Sequence, residues 1–455
     1  MAGDTIAAIA TAQAPAGIGM VRLSGKEAIS IAEGMLRPVG KRRLSALRGY
    51  SGLLGRAYDE NGDIDEAVAF LYRAPHSYTG ENVVEICCHG GAYLLQRVLR
   101  RCFALGARPA EPGEFTRRAF LSGRISLTEA EAVAGLIASS GRQQASAALA
   151  ALDGALYRRI KEIRQQLLSL SAALSAWLDY PDEEQPEVSA RRLEEQLSST
   201  CSALTGLLQG YDQGKILSEG IETVIAGRPN VGKSTLMNLL SGEECSIVTS
   251  LPGTTRDVVR TDIRLGEMVL HLSDTAGIHE TADPVERVGI ERAQAALSRA
   301  QLVLLVLDGS QELTAADRGL LRRLQGCPAI AVLNKADLGL KMDRQALSPC
   351  VRRAVAVSAK KGEGLQELER AVQEVLQLDA LDASQAMLVS ERQRAAAGKA
   401  QAAVREALEA LRAGMTLDAV GIAIDAAIDA LLSLTGERAT QAVVDEVFAK
   451  FCVGK

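Results

Sequence analysis

Apolar positions along this chain fall into two alternating textures. Between residues 217 and 379 they form short, nearly continuous runs: Ile221 to Ala226, Leu302 to Leu307, Ala329 to Leu333 and Ala354 to Val357. Such runs predict strands of a parallel sheet covered on both faces. Elsewhere the spacing is helical. Leu149, Leu152, Leu156, Ile160, Ile163, Leu167, Leu170, Leu174 and Trp177 recur at alternating intervals of three and four. That stripe predicts one long helix with one buried face. The acidic turn Tyr180-Pro181-Asp182-Glu183-Glu184 closes it, and a second stripe follows at Leu193, Leu197, Leu204 and Leu208. Gly210 and Gly214 are expected to end that stripe. Helical texture returns after Ser384, with a break at Thr435-Gly436.

The first part of the chain is mixed. Thr5 to Thr11 and Gly19 to Leu23 predict strands around a Pro15/Gly17 turn. Ala67 to Tyr72 and Val83 to Cys88 predict two more, and Pro112-Gly113-Glu114-Phe115-Thr116 opens a helix. Glu85 stands among apolar neighbours, where an ionised carboxylate requires a partner. An ion pair and a ligand contact both satisfy that need. The predicted organisation is a multidomain α/β plus α protein: residues 1–121, a first helical segment 122–216, an α/β domain 217–379 and a second helical segment 380–455. The α/β domain reads as an insertion into one helical domain built from both flanks.

Composition narrows the class. The chain has 455 residues, enough for about two to four domains. A net charge of −5 argues against an autonomous nucleic-acid binder, although Lys41-Arg42-Arg43, Arg100-Arg101 and Arg117-Arg118 are local basic clusters. Eight cysteines lie scattered without C-x-x-C spacing, and Cys87-Cys88 falls inside an apolar run. Buried thiols in a reducing, cytoplasmic setting are the expectation. No stretch is apolar for long enough to span a bilayer, so no membrane association is expected.

Chemistry concentrates at Gly227-Arg228-Pro229-Asn230-Val231-Gly232-Lys233-Ser234. An apolar strand precedes it and the helix-like run from Thr235 follows. In that context G-x-x-x-x-G-K-S is a phosphate loop. Its backbone N–H groups and the helix N-terminus surround phosphate oxygens. Lys233 reaches the β- and γ-phosphates, and the Ser234 hydroxyl holds Mg²⁺. Asp274-Thr275-Ala276-Gly277 follows a strand, which suits water-mediated Mg²⁺ coordination and γ-phosphate contact. Asn334-Lys335-Ala336-Asp337 follows another strand. The Asp337 carboxylate can accept from N1–H and the 2-amino group of guanine, which adenine cannot supply. Ser358-Ala359-Lys360 closes over the base, and Gly253-Thr254-Thr255-Arg256-Asp257 reads as a γ-phosphate switch. The order of these elements points to GTP and its hydrolysis.

Ile278 stands where small signalling GTPases carry a water-orienting Gln. No local Arg offers itself as a finger. Asn230 presents a neutral oxygen ligand, so a monovalent cation, K⁺, is expected to supply positive charge there.

These motifs resemble the Era/Der-like class. Together with Pro112 to Phe120 and the Phe451-Cys452-Val453-Gly454-Lys455 motif, they resemble the MnmE (TrmE) family of tRNA modification GTPases along the whole chain. The resemblance implies an N-terminal tetrahydrofolate-binding-type α+β domain, a discontinuous helical domain and an inserted P-loop (Ras-like) GTPase domain. It implies a K⁺-dependent GTPase that acts with the FAD protein MnmG, as a heterotetramer or larger assembly. The product is an aminomethyl or carboxymethylaminomethyl group at C5 of the wobble uridine of certain tRNAs. It also implies a homodimer held constitutively by the N-terminal domain (residues 1–121), whose paired GTPase domains couple hydrolysis to their own dimerisation across a K⁺-dependent interface.

For the residues, the resemblance implies that GTP is bound by Asn230, Val231, Gly232, Lys233, Ser234 and Thr235. A second group is Thr249, Ser250, Leu251, Pro252, Gly253, Thr254 and Thr255. Asp274, Thr275, Ala276 and Gly277 follow, with Asn334, Lys335, Ala336 and Asp337, then Ser358, Ala359 and Lys360. Asn230, Thr249, Leu251 and Thr254 would ring K⁺; Ser234 and Thr255 would hold Mg²⁺; Glu286 would position the attacking water. Arg22, Glu85, Arg124 and Lys455 would bind 5,10-methylenetetrahydrofolate, or 5-formyltetrahydrofolate as an analogue. Arg124 replaces a lysine common in the family; it keeps the charge but changes the geometry. Cys452 stands between a buried small hydrophobe and a catalytic residue of the modification. Two rival functions are a ribosome-assembly GTPase of the Era/Der kind and a folate-binding structural protein with a vestigial switch. The first predicts an RNA-binding domain after Asp379, where the sequence is Ala/Leu-rich.

The K⁺ expectation is tested by GTP turnover in matched K⁺ and Na⁺ buffers. Faster turnover in K⁺ is expected, and equal rates would remove the cation from the account.

Overall fold

A computed structural model describes residues 3–179, 190–242, 260–274, 300–342, 347, 349–378 and 385–455. The chain forms two compact units. The first comprises Met1–Ala134, Tyr157–Cys201 and Ala396–Lys455; the second comprises Gly135–Leu156 and Ser202–Ala395.

The first unit is built on strands β1 (Ile6–Ile9), β2 (Ala16–Ser24), β3 (Leu36–Pro38), β4 (Ser51–Asp59), β5 (Gly62–Tyr72), β6 (Val83–Gly90) and β7 (Arg108–Pro109). They form a seven-stranded sheet in the order β3-β4-β5-β6-β2-β1-β7. Of these strands only β1 and β7 pair in parallel. The helix Ala92–Ala104 buries Leu95, Val98 and Cys102, a stripe at helical spacing. They join Val21, Leu23, Val84 and Ile86 in the core.

The rest of this unit is helical. Ile160, Ile163, Leu167, Leu170 and Leu174 are buried in the helix Ala155–Asp179, and Val420, Ile424, Ile428 and Leu431 in the helix Leu417–Thr435. Beyond Gly436 lies the helix Gln441–Phe448. The tail then docks against the sheet domain. Gly113 N–H donates to the Cys452 carbonyl at 3.3 Å and Phe115 N–H to the Lys455 carbonyl at 3.2 Å. Gly454 has φ +97°, and a Cβ there would meet the Ile9 carbonyl at 2.4 Å. Only glycine permits both that conformation and that approach.

The second unit holds β8 (Ile221–Ala226), β9 (Arg260–Leu265), β10 (Met268–Asp274), β11 (Leu302–Asp308), β12 (Ala329–Asn334) and β13 (Arg353–Ala356). Their order is β13-β12-β11-β8-β10-β9, parallel except for the β9 edge. Every residue of β11 and β12 is buried. In β11, Leu302, Leu304 and Val306 face one core with Leu236 and Leu368, while Val303, Leu305 and Leu307 face the other with Leu321. The period-two alternation therefore runs between two apolar faces, which is why the strands read as continuous runs.

Two sequence expectations are corrected. The long stripe is not one helix: Arg142–Leu152 and Ala155–Asp179 are separated at Asp153-Gly154. The turn resets the helical phase, leaving Leu149 49% exposed, while Trp177 is 38% exposed in the last turn of the second helix. Gly214 does not end a helix but lies inside Tyr211–Glu219, where a Cβ would meet the Leu388 carbonyl at 2.5 Å. Strand β4 was not anticipated, because Gly52 and Gly55 mimic a turn, although it pairs with β5 as a tight hairpin. The segment from residue 385 carries the helices Glu391–Arg412, Leu417–Thr435 and Gln441–Phe448.

Truncating Leu304→Ala at the centre of β11 should destabilise the second unit by about 3 kcal/mol, through reduced burial and a cavity. Chemical denaturation should show a lowered midpoint, whereas Leu338→Ala, at a 65% exposed position, should leave it in place.

Candidate functional site

Strands β8, β11, β12 and β13 are parallel, so their C-terminal ends and following loops gather on one edge of the sheet. Residues 227–232 leave β8 and lead into the helix Lys233–Ser241. The Lys233 ammonium donates to the Gly227 carbonyl at 2.7 Å and the Arg228 carbonyl at 2.8 Å. Ser234 and Thr235 are exposed in the first helical turn, beside the N–H groups that an anion would use. Asn230 is exposed and sits at φ +64°.

Asn334, at the end of β12, is the junction of the site. Its amide donates to the Val231 carbonyl at 3.0 Å and accepts from Ala359 N–H at 3.0 Å. The residue is 3% exposed. One buried side chain thus fixes the phosphate loop to the Ser358-Ala359-Lys360 loop. Gly232 makes the approach possible: a Cβ there would meet the Asn334 amide nitrogen at 2.2 Å, and its φ is +96°.

The neighbouring groups extend this frame. Lys335 donates to the Asn230 carbonyl at 3.0 Å and to Asp308 at 2.6 Å. Burial would raise the Asp308 carboxyl, but hydrogen bonds from Lys335 and Ser310 outweigh it and hold the group below its ordinary range. The Ser358 hydroxyl donates to Asp337 at 2.7 Å and holds its carboxylate ionised to lower pH than usual. Ala336 N–H bonds the Val357 carbonyl. Asp337 is thereby an oriented, charged acceptor beside Asn334. Arg228 bonds Asp317 at 2.7 Å, and the buried Asp317 also completes the capping box of the helix Ala315–Arg323.

Sequence reasoning missed Asp308, Arg228 and Asp317. The strand-end pair Asp308-Gly309 was a visible signal for the first. The Arg228–Asp317 contact spans 89 positions and had none.

The backbone of Asp274 ends β10 beside Ile225 of β8. Thr249, Ser250, Leu251, Pro252, Gly253, Thr254, Thr255, Thr275, Ala276, Gly277, Ile278 and Glu286 lie outside the described residues.

A second cluster lies in the first unit. Arg22 and Glu85 are cross-strand partners on β2 and β6 and form an ion pair at 2.8 Å, each side chain about 15% exposed. The ion-pair reading of Glu85 is thus the geometry present. Arg22 also donates to the Gly454 carbonyl at 3.1 Å and lies over the Phe115 ring. The Tyr72 hydroxyl donates to Glu85 at 3.4 Å. Burial, with the Arg22 charge nearby, pushes the Lys455 ammonium below its usual range. A Cβ at Gly80 would lie 3.6 Å from the Arg124 stem.

Cys452 is exposed, which removes its reading as a buried hydrophobe. Cys88 is buried, and burial pushes its thiol up to about 11; Cys87 is half-buried.

Phosphate loop, Asn-Lys-Ala-Asp junction and Ser-Ala-Lys loop on one sheet edge define a phosphate-loop GTPase. A family model described as the MnmE helical domain matches residues 127–452, and one described as the GTP-binding protein TrmE N-terminus matches residues 5–124. The tRNA modification GTPase MnmE of Symbiobacterium thermophilum is 44% identical over 100% of both chains. Those of Synechococcus sp. (strain JA-3-3Ab) and Heliobacterium modesticaldum are 42% and 41% identical over 98% or more of each chain. The chain belongs to the MnmE family of tRNA modification GTPases.

Replacing Asn334→Ala strands the buried Ala359 N–H and unties the two loops. A cost of about 2–3 kcal/mol is expected in nucleotide affinity, roughly 30–150-fold. Titration with a fluorescent GDP reads it, and unchanged affinity would contradict the role given to Asn334.

Proposed function

We propose that GTP hydrolysis in residues 217–379 drives modification at C5 of the wobble uridine of certain tRNAs, together with an FAD protein of the MnmG type. The product carries an aminomethyl or carboxymethylaminomethyl group. The observation that carries the nucleotide half of this reading is the Asn334 junction, which ties a phosphate loop to an oriented guanine acceptor. Full-length similarity to the MnmE relatives supports the tRNA half.

Within this reading the chain has four parts: residues 1–121, 122–216, 217–379 and 380–455. Ser234, with Thr255, would hold Mg²⁺, which supplies charge neutralisation at the phosphates. The exposed Ser234 hydroxyl at a helix N-terminus fits that role. Asn230, with Thr249, Leu251 and Thr254, would hold K⁺; its exposed amide on the outer rim of the loop fits a neutral oxygen ligand. Glu286 would orient water.

Arg22, Glu85, Arg124 and Lys455 would bind a one-carbon tetrahydrofolate. Paired charges half-sheltered beside an aromatic ring suit a ligand with both ring donors and carboxylates. Cys452, exposed on the same docked tail, would serve the modification. The working species would be a homodimer whose GTPase domains meet during hydrolysis, associated with the flavoprotein. Among the described residues no helix is long and apolar enough to cross a membrane.

Nucleoside analysis of tRNA from cells lacking this protein tests the reading. Wobble uridines should lose their C5 substituent, with restoration by the wild-type chain. An unchanged nucleoside profile would overturn the reading.

A further inference from the structure

The sheet of the first unit carries an edge whose charge differs sharply from that of the chain. Residues 36–58 contain Arg37, Lys41, Arg42, Arg43, Arg48 and Arg56 and no Asp or Glu, within a chain of net charge −5. All six cationic residues are exposed. Arg37 on β3 and Arg56 on β4 are direct cross-strand partners, and both share the single carboxylate of Asp63, at 2.9 and 3.3 Å. Like charges placed opposite one another repel, and one carboxylate neutralises only one of them. In the loop that follows β3, Lys41, Arg42, Arg43 and Arg48 have no ion pair among the described residues. The nearby Glu33 carboxylate, which feels Arg43, already accepts the Ser45 N–H at 2.7 Å.

An aromatic residue ends this loop. Tyr50 is 71% exposed and has φ +60°, unusual for a bulky side chain. Its N–H bonds the Leu71 carbonyl at 2.8 Å, which anchors the backbone at the end of β5. Its ring meets Tyr72 edge-on, with centroids 5.6 Å apart. Tyr72 in turn reaches Glu85, the partner of Arg22. The exposed ring therefore stands one aromatic step from the Arg22–Glu85 pair.

We propose that the β3–β4 edge and its loop are the docking surface for tRNA, with Lys41, Arg42, Arg43 and Arg48 on backbone phosphates and Tyr50 stacking on an unpaired base. The inference rests on the tRNA reading above and adds the surface that reading lacks. Unpaired cations neutralise phosphates and release counterions. A single-stranded loop offers bases to an exposed aromatic ring, which a duplex does not. An anionic membrane would attract the same cations and also seat a tyrosine at its interface, but full-length similarity to tRNA modification GTPases favours RNA as the polyanion. The favoured ligand is thus an RNA loop, held with its splayed base facing the Arg22–Glu85 pair.

The test is fluorescence anisotropy of labelled tRNA with the full chain across a salt series. The combined Lys41→Ala, Arg42→Ala and Arg43→Ala variant should bind about tenfold or more weakly at low salt. Its log-affinity against log-salt slope should fall by about 2–3, at roughly 0.7–0.9 for each phosphate no longer neutralised. GTP turnover and the unfolding midpoint should not change. Tyr50→Ala should weaken binding with the slope preserved, while Tyr50→Phe should bind as the wild type does. Unchanged affinity and slope in the triple variant would overturn the proposal. So would a wild-type chain that binds vesicles of anionic lipid but not tRNA. If cells lacking the protein lose the C5 substituent while the triple variant binds normally, the function stands and only this surface is rejected.

Discussion

A single buried amide holds the nucleotide end of this protein together. Asn334 spends both halves of its side chain on backbone, one on the phosphate loop and one on the loop after β13. Val231 and Ala359 each rest on the apolar core beneath, and the amide is the polar link that sets the spacing of their loops. The constraint reaches back into the sequence: Gly232 must lack a Cβ for the amide to fit. It also explains the position of Asn334 as the last residue of a fully buried strand. Burial makes the two hydrogen bonds worth more and makes their removal costly. Around it, Lys335 repeats the same logic with charge, joining Asn230 to Asp308 across the ends of neighbouring strands.

The first unit solves a comparable problem by different means. Its Arg22–Glu85 pair lies across two antiparallel strands, and the docked tail supplies the third side through the Gly454 carbonyl and Lys455. Arg22 and Glu85 are sheltered but paired, which avoids the penalty of a buried lone ion, whereas burial and the Arg22 charge push the Lys455 ammonium down. Residues 22, 85 and 455 come together because the tail hydrogen-bonds the start of the helix Glu114–Leu121. A Cβ at position 454 would push the tail off β1.

The legible parts of this architecture are those written in local pattern. The strands of the second unit show as apolar runs because both sheet faces are covered. The phosphate loop shows because glycines, lysine and serine at fixed spacing have one strong physical use. Asn334 and Asp337 were recognisable as a strand-end motif, but the amide bridge itself, 103 positions in span, was not. The helical stripe misled because a period of three and four continues through Asp153-Gly154 while the chain turns there. Gly214 misled because a glycine that ends a helix and one that admits a neighbouring backbone look alike in sequence. Strand β4 was invisible because Gly52 and Gly55 look like a turn. Cys452 read as a candidate hydrophobe by residue type, yet its exposure follows from where the tail docks.

Central to this molecule is that the Asn334 frame makes a site that reads guanine and phosphate together. Calorimetric titration of the full chain with GDP and ADP in parallel tests it most directly. Asp337 satisfied by guanine and stranded by adenine should give GDP an advantage of about 10⁴-fold or more. Comparable affinities for the two nucleotides would contradict the account.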